Sequence, residues 1–189
     1  MKQLEKKFGN ANVDDMLIVF ISTHCIPSAD GEQAYFLTYD ADPVNLPETA
    51  VSHLDIERVI KKTSAKKIII ICDGFRGGAG LELRTGYEGD LKNIFSELAA
   101  AKDSTAIFLS SETTEFSREG KQWDGGHGIF TKLLLDGLNR DADMDSDGKV
   151  TIEEIQNYLS QHISNETDNH QHPLMLGSFP KYFPLSKLK

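Results

Sequence analysis

The sequence predicts an α/β domain in which a mainly parallel sheet lies between helices as a three-layer sandwich. Three observations predict it. Met16 to Ser22, Lys66 to Cys72 and Thr105 to Leu109 are apolar runs of strand length, the pattern of strands buried on both faces. Stretches of helical period lie between them. Strands that alternate with helices favour parallel pairing, with the crossover helices packed against the sheet. A chain of 189 residues, 39% hydrophobic and 26% charged, suits one globular domain over 1–189 with a sizeable core.

The elements follow in order. Met16 to Ser22 is the first buried strand. Gln33 to Asp40, after the turn residues Ala29-Asp30-Gly31, reads as a short hairpin arm. Leu54, Ile56, Val59 and Ile60 mark a helix within residues 47–62, and Lys66 to Cys72 is the second buried strand. Leu91, Ile94, Phe95 and Leu98 recur at helical spacing within residues 87–101. Thr105 to Leu109 forms the third strand, residues 127–138 a helix that starts near His127, and Ile152, Ile155, Leu159 and Ile163 a further helix. Three prolines make the tail from Pro173 to Leu185 extended and edge-like.

Composition excludes several roles. With 29 acidic against 20 basic residues the formal net charge is −9, and no basic stripe offers itself to phosphates, so nucleic acid is not expected as a partner. No apolar stretch reaches the roughly 20 residues of a membrane span. The first ten residues are too polar for a secretory signal. Two cysteines, Cys25 and Cys72, make no disulfide framework, and reduced thiols in a cytoplasmic protein are expected.

Two apolar strands end in residues of chemical interest. "LIVFISTHC" closes on His24, and "KKIIIICDGFRGGAG" runs through Asp73 and Phe75 into the glycines Gly77 and Gly78. Open α/β sheets place reactive groups beyond their strand tips, and adjacent glycines let backbone N–H groups approach a substrate carbonyl. The segments "DDMLIVFISTHC", "YFLTYDADP", "AKKIIIICDGFRGG" and "GHGIFTKLLLDGL" stand in the order seen in clan CD caspase-like peptidases. From about residue 14 onward the chain resembles their prokaryotic caspase and metacaspase relatives. Those relatives commonly read "SGHG", "LLPYDADP", "DACHSGG" and "HGxFTxxLLxGL". Caspase-type sequences place the nucleophile turn about 50 residues after the catalytic histidine.

The resemblance implies a caspase-like three-layer fold and assigns roles by position. His24 matches the catalytic histidine and Phe75 the nucleophilic cysteine. Asp73 matches the acid that lines the S1 pocket of relatives specific for Arg or Lys, where it would pair with the basic side chain. Gly77 and Gly78 would complete the substrate-binding turn. Phenylalanine cannot form a thiolate. Cys72 lies three residues earlier on an alternating strand and should face away from position 75; Cys25 adjoins the histidine and is badly placed to be deprotonated by it. Arg84, in the loop that relatives often have cut, becomes a candidate cleavage site for an active partner.

Relatives carry two strands and a helix before the histidine strand, whereas about 15 residues precede Met16 here. The expectation is a domain truncated at its N-terminus relative to the family, with the Met16–Ser22 edge covered by a partner or a second copy. Asp143 to Glu154, "DMDSDGKVTIEE", matches an EF-hand loop. Asp143, Asp145 and Asp147 take its first, third and fifth positions, and Gly148 the sharp turn. Lys149 would offer its carbonyl, Thr151 a side chain or water, and Glu154 two oxygens to Ca²⁺. The EF-hand alternative is a solvated acidic helix cap.

Three functions follow as expectations. The first is a pseudoprotease, a caspase-like domain that binds polypeptide or a homologous caspase-like subunit without cutting, with Ca²⁺ as a regulator. The second is an active cysteine endopeptidase cleaving after Arg or Lys. The third is a non-catalytic calcium-binding interaction module.

Overall fold

The computed structural model describes residues 2–75 and 91–188. Gly77, Gly78 and Arg84 lie outside the described residues. Helix α1 (Lys2–Gly9) leads to strand β1 (Met16–Pro27), and a turn through Gly31 returns the chain as β2 (Ala34–Phe36). The helical pattern of residues 47–62 divides into α2 (Leu46–Thr49), β3 (Val51–Ser52) and α3 (His53–Lys62). Strand β4 (Lys67–Phe75) precedes α4 (Leu91–Ala100) and β5 (Thr105–Leu109). Helix α5 (Ile129–Asp136) ends in a π-helical turn, Gly137–Asp141. Then follow β6 (Lys149–Thr151), α6 (Ile152–Glu166), β7 (Leu174–Ser178) and β8 (Pro184–Lys187).

Six strands form one sheet in the order β3-β2-β1-β4-β5-β7, and β6 pairs with β8 apart from it. The sheet is not mainly parallel, contrary to the expectation from the buried runs. Pairs β1–β4 and β4–β5 are parallel, whereas β1–β2, β2–β3 and β5–β7 are antiparallel. The physical reason is connectivity. Parallel neighbours need a crossover, which α3 and α4 supply; the tight return after Pro27 and the returning tail give antiparallel neighbours. Apolar runs of strand length identify the three central strands but say nothing about short strands added at either side. Burial on both faces holds for β4 and β5 and not for Met16–Ser22 of β1, where Ile18 and Phe20 are exposed on the α5 side. The proline-rich tail does supply an edge, β7, as its composition predicts.

Alternation along the strands divides the core between two faces. Ile68, Ile70 and Cys72 of β4 and Ile107 and Leu109 of β5 pack with Ile56, Val59 and Ile60 of α3 and with Leu91, Phe95 and Leu98 of α4. Ile69 and Ile71 of β4 and Ala106 and Phe108 of β5 point the other way. They meet Ile129, Phe130 and Leu133 of α5 and Ile155, Leu159 and Ile163 of α6. Helices thus cover both faces, an α/β arrangement compatible with a three-layer sandwich. Among the described residues, no helix is long and apolar enough to cross a membrane.

Helix α3 begins with a capping box: the Ser52 hydroxyl accepts from Asp55 N–H while the Asp55 carboxylate accepts from Ser52 N–H. The next residue, His53, is buried, and its Nδ1 accepts from Ala34 N–H of β2 at 3.1 Å. Burial holds its pKa below the usual histidine value. The unfolded chain therefore binds the proton more readily, so the stability that His53 contributes is present above about pH 6.5 and is lost as pH falls through the lowered value. We expect urea midpoints to fall between pH 7 and pH 5. In His53→Phe that slope should flatten, and at pH 7.5 the unpaired Ala34 N–H should cost about 1–3 kcal/mol.

Candidate functional site

His24, Asp73, Phe75, Ser110 and Ser111 gather at the C-terminal ends of three adjacent strands, because β1, β4 and β5 run parallel. The register of β1 against β4 is regular from Met16↔Lys67 to Ser22↔Asp73, then shifts so that Cys25 partners Phe75. The shift is a β-bulge, which re-aims the residues beside it. It depends on Gly74, whose φ is +118° and where an added Cβ would sit 2.5 Å from the Thr23 carbonyl oxygen. Only glycine allows β1 and β4 to approach this closely.

The sequence-predicted pair thus comes together at the level of the backbone, with His24 next in sequence to the partner of Phe75. His24 is half-buried, its carbonyl accepts from Leu37 N–H at 2.9 Å, and its Nδ1 is buried with no hydrogen-bond partner among the described residues. A buried ring nitrogen left this way costs stability, which makes His24 a notable group. The hydroxyl of Ser111 is likewise buried and, among the described residues, without a hydrogen-bond partner. Ser110 Oγ accepts from Gly74 N–H at 3.3 Å and ties β5 to the bulge.

Asp73 faces the α5 side and is buried. Ser117 Oγ donates to its Oδ1 at 2.9 Å and Thr131 Oγ1 to its Oδ2 at 2.5 Å. A Cβ at Gly128, which caps α5, would lie 2.7 Å from Oδ2, so the helix start closes on the carboxylate. The positive end of the helix dipole favours this placement. Both oxygens already accept hydroxyl protons. The loop that brings Ser117 is pinned by Gln171, fully buried, which accepts from Arg118 N–H and donates to the Ser110 carbonyl, both at 2.8 Å. Glu115 adds a contact to His172 Nδ1 at 2.6 Å. Sequence reasoning missed Ser117, Thr131 and Gln171. Only Thr131, a polar residue one turn into an apolar helix, carried a local signal.

Neither thiol offers a nucleophile. Cys25 and Cys72 are both free and buried. Burial pushes both pKa values well above the usual thiol range; the Asp73 carboxylate adds to the effect on Cys72, and the neighbouring Cys72 thiol, which would have to share the site with a second negative charge, adds to that on Cys25. His127, exposed, lies two residues before α5 and starts no catalytic pair among the described residues. A cavity of about 260 Å³ is lined by Trp123, Ile129, Lys132 and Leu133, not by the strand tips.

The acidic loop sits apart, between the π-helical turn and α6. Carboxylate oxygens of Asp143, Asp145 and Asp147 lie within 4.8 Å of one another. Gly148, at φ +79°, makes the turn, and its N–H donates to Asp143 at 3.1 Å. Glu154 caps α6 with Thr151 and also accepts from Met144 N–H at 3.1 Å. Burial alone would raise the Glu154 carboxyl, but hydrogen bonds from Thr151, Met144 and Asp145 outweigh it and hold the pKa low. Lys149 donates to Asp147 at 3.0 Å, and this bond is the main reason the Asp147 carboxyl stays ionised to lower pH.

Comparison with protein-family models and with curated proteins finds no match. Among solved structures, the chain is similar to the crystal structure of protein GSU0716 from Geobacter sulfurreducens. The TM-score is 0.60 at 11% sequence identity, over all of this chain and 77% of that one. That likeness is one of fold alone.

Proposed function

We propose that this chain is a caspase-like domain that binds polypeptide or a homologous subunit and does not cleave it. One observation carries the reading. The strand tips that would hold a histidine and a nucleophile bear His24 and Phe75, while both cysteines are buried with raised pKa values. A thiolate, the species that attacks a carbonyl, is thus not supplied at neutral pH. Asp73 keeps the acid that the family pattern places two residues earlier, but two hydroxyls already engage it.

A second reading, regulation by Ca²⁺, is favoured by the donor set of the acidic loop. Calcium takes oxygen ligands at about 2.3–2.6 Å, so donors on opposite sides of one ion lie about 5 Å apart. Three carboxylate oxygens within 4.8 Å fit that size and charge. Asp143, Asp145, Asp147 and Glu154 would hold the ion, with the Lys149 carbonyl and Thr151. Bound there, it would offset half of the charge of these four carboxylates and tie Glu154, and so the start of α6, to the loop.

The test is cleavage of basic fluorogenic peptides with and without Ca²⁺, by wild type and by Phe75→Cys. Wild type is expected to show none beyond background in either condition. Turnover by wild type would mean an active endopeptidase. Turnover by Phe75→Cys alone would mean an intact site that lacks its sulfur. Calorimetry of the same wild-type sample with millimolar Ca²⁺ should give heat of binding, and its absence would remove the calcium reading.

A further inference from the structure

The free edge of β1 is the surface that the catalytic reading leaves unused. Strand β2 pairs with β1 only from Cys25 to Pro27, and Leu37 N–H reaches His24. From Met16 to Ser22, β1 is hydrogen-bonded to β4 on one side and, among the described residues, to no strand on the other. The same segment is bare on one face. Leu17, Val19 and Ile21 point into the core beneath α3 and α4, but Ile18 and Phe20 point to the α5 face, where among the described residues no helix covers β1. They are 52% and 49% exposed, whereas the equivalent β4 residues Ile69 and Ile71 are buried. An edge offering unpaired backbone groups and two large apolar side chains is a template for another strand.

Charge says which strand. Asp14 and Asp15, both exposed, stand at one end of the segment. At the other, the chain leaves β2 at Leu37, whose carbonyl accepts from Thr23 Oγ1 of β1, and runs on into exposed Asp40 and Asp42. None of the four enters an ion pair among the described residues. Lys66 approaches the first pair only from the covered β4 side, where its N–H meets the Val13 carbonyl. A second copy paired edge to edge would bring these acids together, in a chain of net charge −9. An extended segment with cationic ends would neutralise them instead.

We propose that the Met16–Ser22 edge binds an extended polypeptide of about seven residues that alternates apolar side chains between Lys/Arg-bearing ends, by strand addition. The length follows from strand rise, which makes the six steps from Met16 to Ser22 about 20 Å long, with the acidic residues beyond both ends. Apolar residues of the ligand would lie beside Ile18 and Phe20. This site is distinct from the His24–Phe75 tips and stands whether or not those tips cleave.

The probe is a synthetic peptide with a seven-residue Val/Thr alternating core between Lys-Arg ends, compared by fluorescence anisotropy with one bearing Glu-Glu ends. Wild type is expected to bind the basic peptide at least about tenfold more tightly, with affinity falling as salt is added. The variant Ile18→Lys/Phe20→Lys, changed only at exposed positions, should keep its urea midpoint and lose that binding. Amide exchange should slow at Met16–Ser22 when the basic peptide is present. Equal binding by the folded variant, no preference for basic ends, or unchanged exchange at the edge would overturn the proposal. So would a wild-type dimer in sedimentation that the same variant dissociates, because a second copy would then be the occupant.

Discussion

Gly74→Val is expected to cost more than about 3 kcal/mol of folding stability, the largest effect of any single change near the candidate site. Two terms add. A β-branched residue at φ +118° occupies backbone space that essentially only glycine uses. Its Cβ would also sit 2.5 Å from the Thr23 carbonyl oxygen and 2.9 Å from the carbonyl carbon, and backbone cannot rotate away as a side-chain tip can. Relief requires β1 and β4 to part at the bulge, which breaks the register Cys25↔Phe75 and the Gly74–Ser110 bond. Gly74→Ala should act in the same direction with smaller size. Urea denaturation of both variants measures the loss; a Gly74→Val protein within 1 kcal/mol of wild type would mean that the close approach is not real.

Phe95→Ala should cost about 3–5 kcal/mol. The ring is fully buried beneath the sheet and meets Phe36 of β2 edge-to-face, with centroids 6.0 Å apart. Its removal takes transfer energy and leaves a cavity in a core already built from β-branched residues that repack poorly. Phe130→Ala, fully buried on the opposite face, should cost a similar amount. Phe20→Ala, half exposed on the free edge, should change stability by less than about 0.5 kcal/mol. Thermal or urea unfolding of the three variants tests whether the sheet is covered on both faces except at β1.

Much of the arrangement was legible because its signals are local. The three long strands were visible as apolar runs of Ile, Val and Phe; for β4 and β5 the reason is cover on both faces, whereas the run in β1 reads the same although its α5 side is bare. Helix α4 showed its period in Leu91, Ile94 and Leu98. The acidic loop was visible because its residues are consecutive. The split of residues 47–62 into α2, β3 and α3 was not, because two residues of β3 earn their strand state only by pairing with Tyr35 and Phe36. The direction of β2 and β7 was hidden for the same reason: short strands take direction from their neighbours.

At the candidate site the division is sharper. The order of residues alone determined that a histidine and a phenylalanine follow two apolar runs of strand length, fifty-one positions apart, and that no cysteine stands at position 75. Tertiary structure decided what surrounds them. Ser117 and Thr131 are 44 and 58 positions from Asp73, yet occupy its two oxygens. Gln171, 61 positions from Ser110, holds the loop that delivers one of them. Burial of both thiols and the bare α5-side face of β1 likewise depend on which helices land on which face. Local sequence sets the period and length of each element; partners remote in the chain set solvent access, hydrogen bonding and charge, because these depend on distances in space.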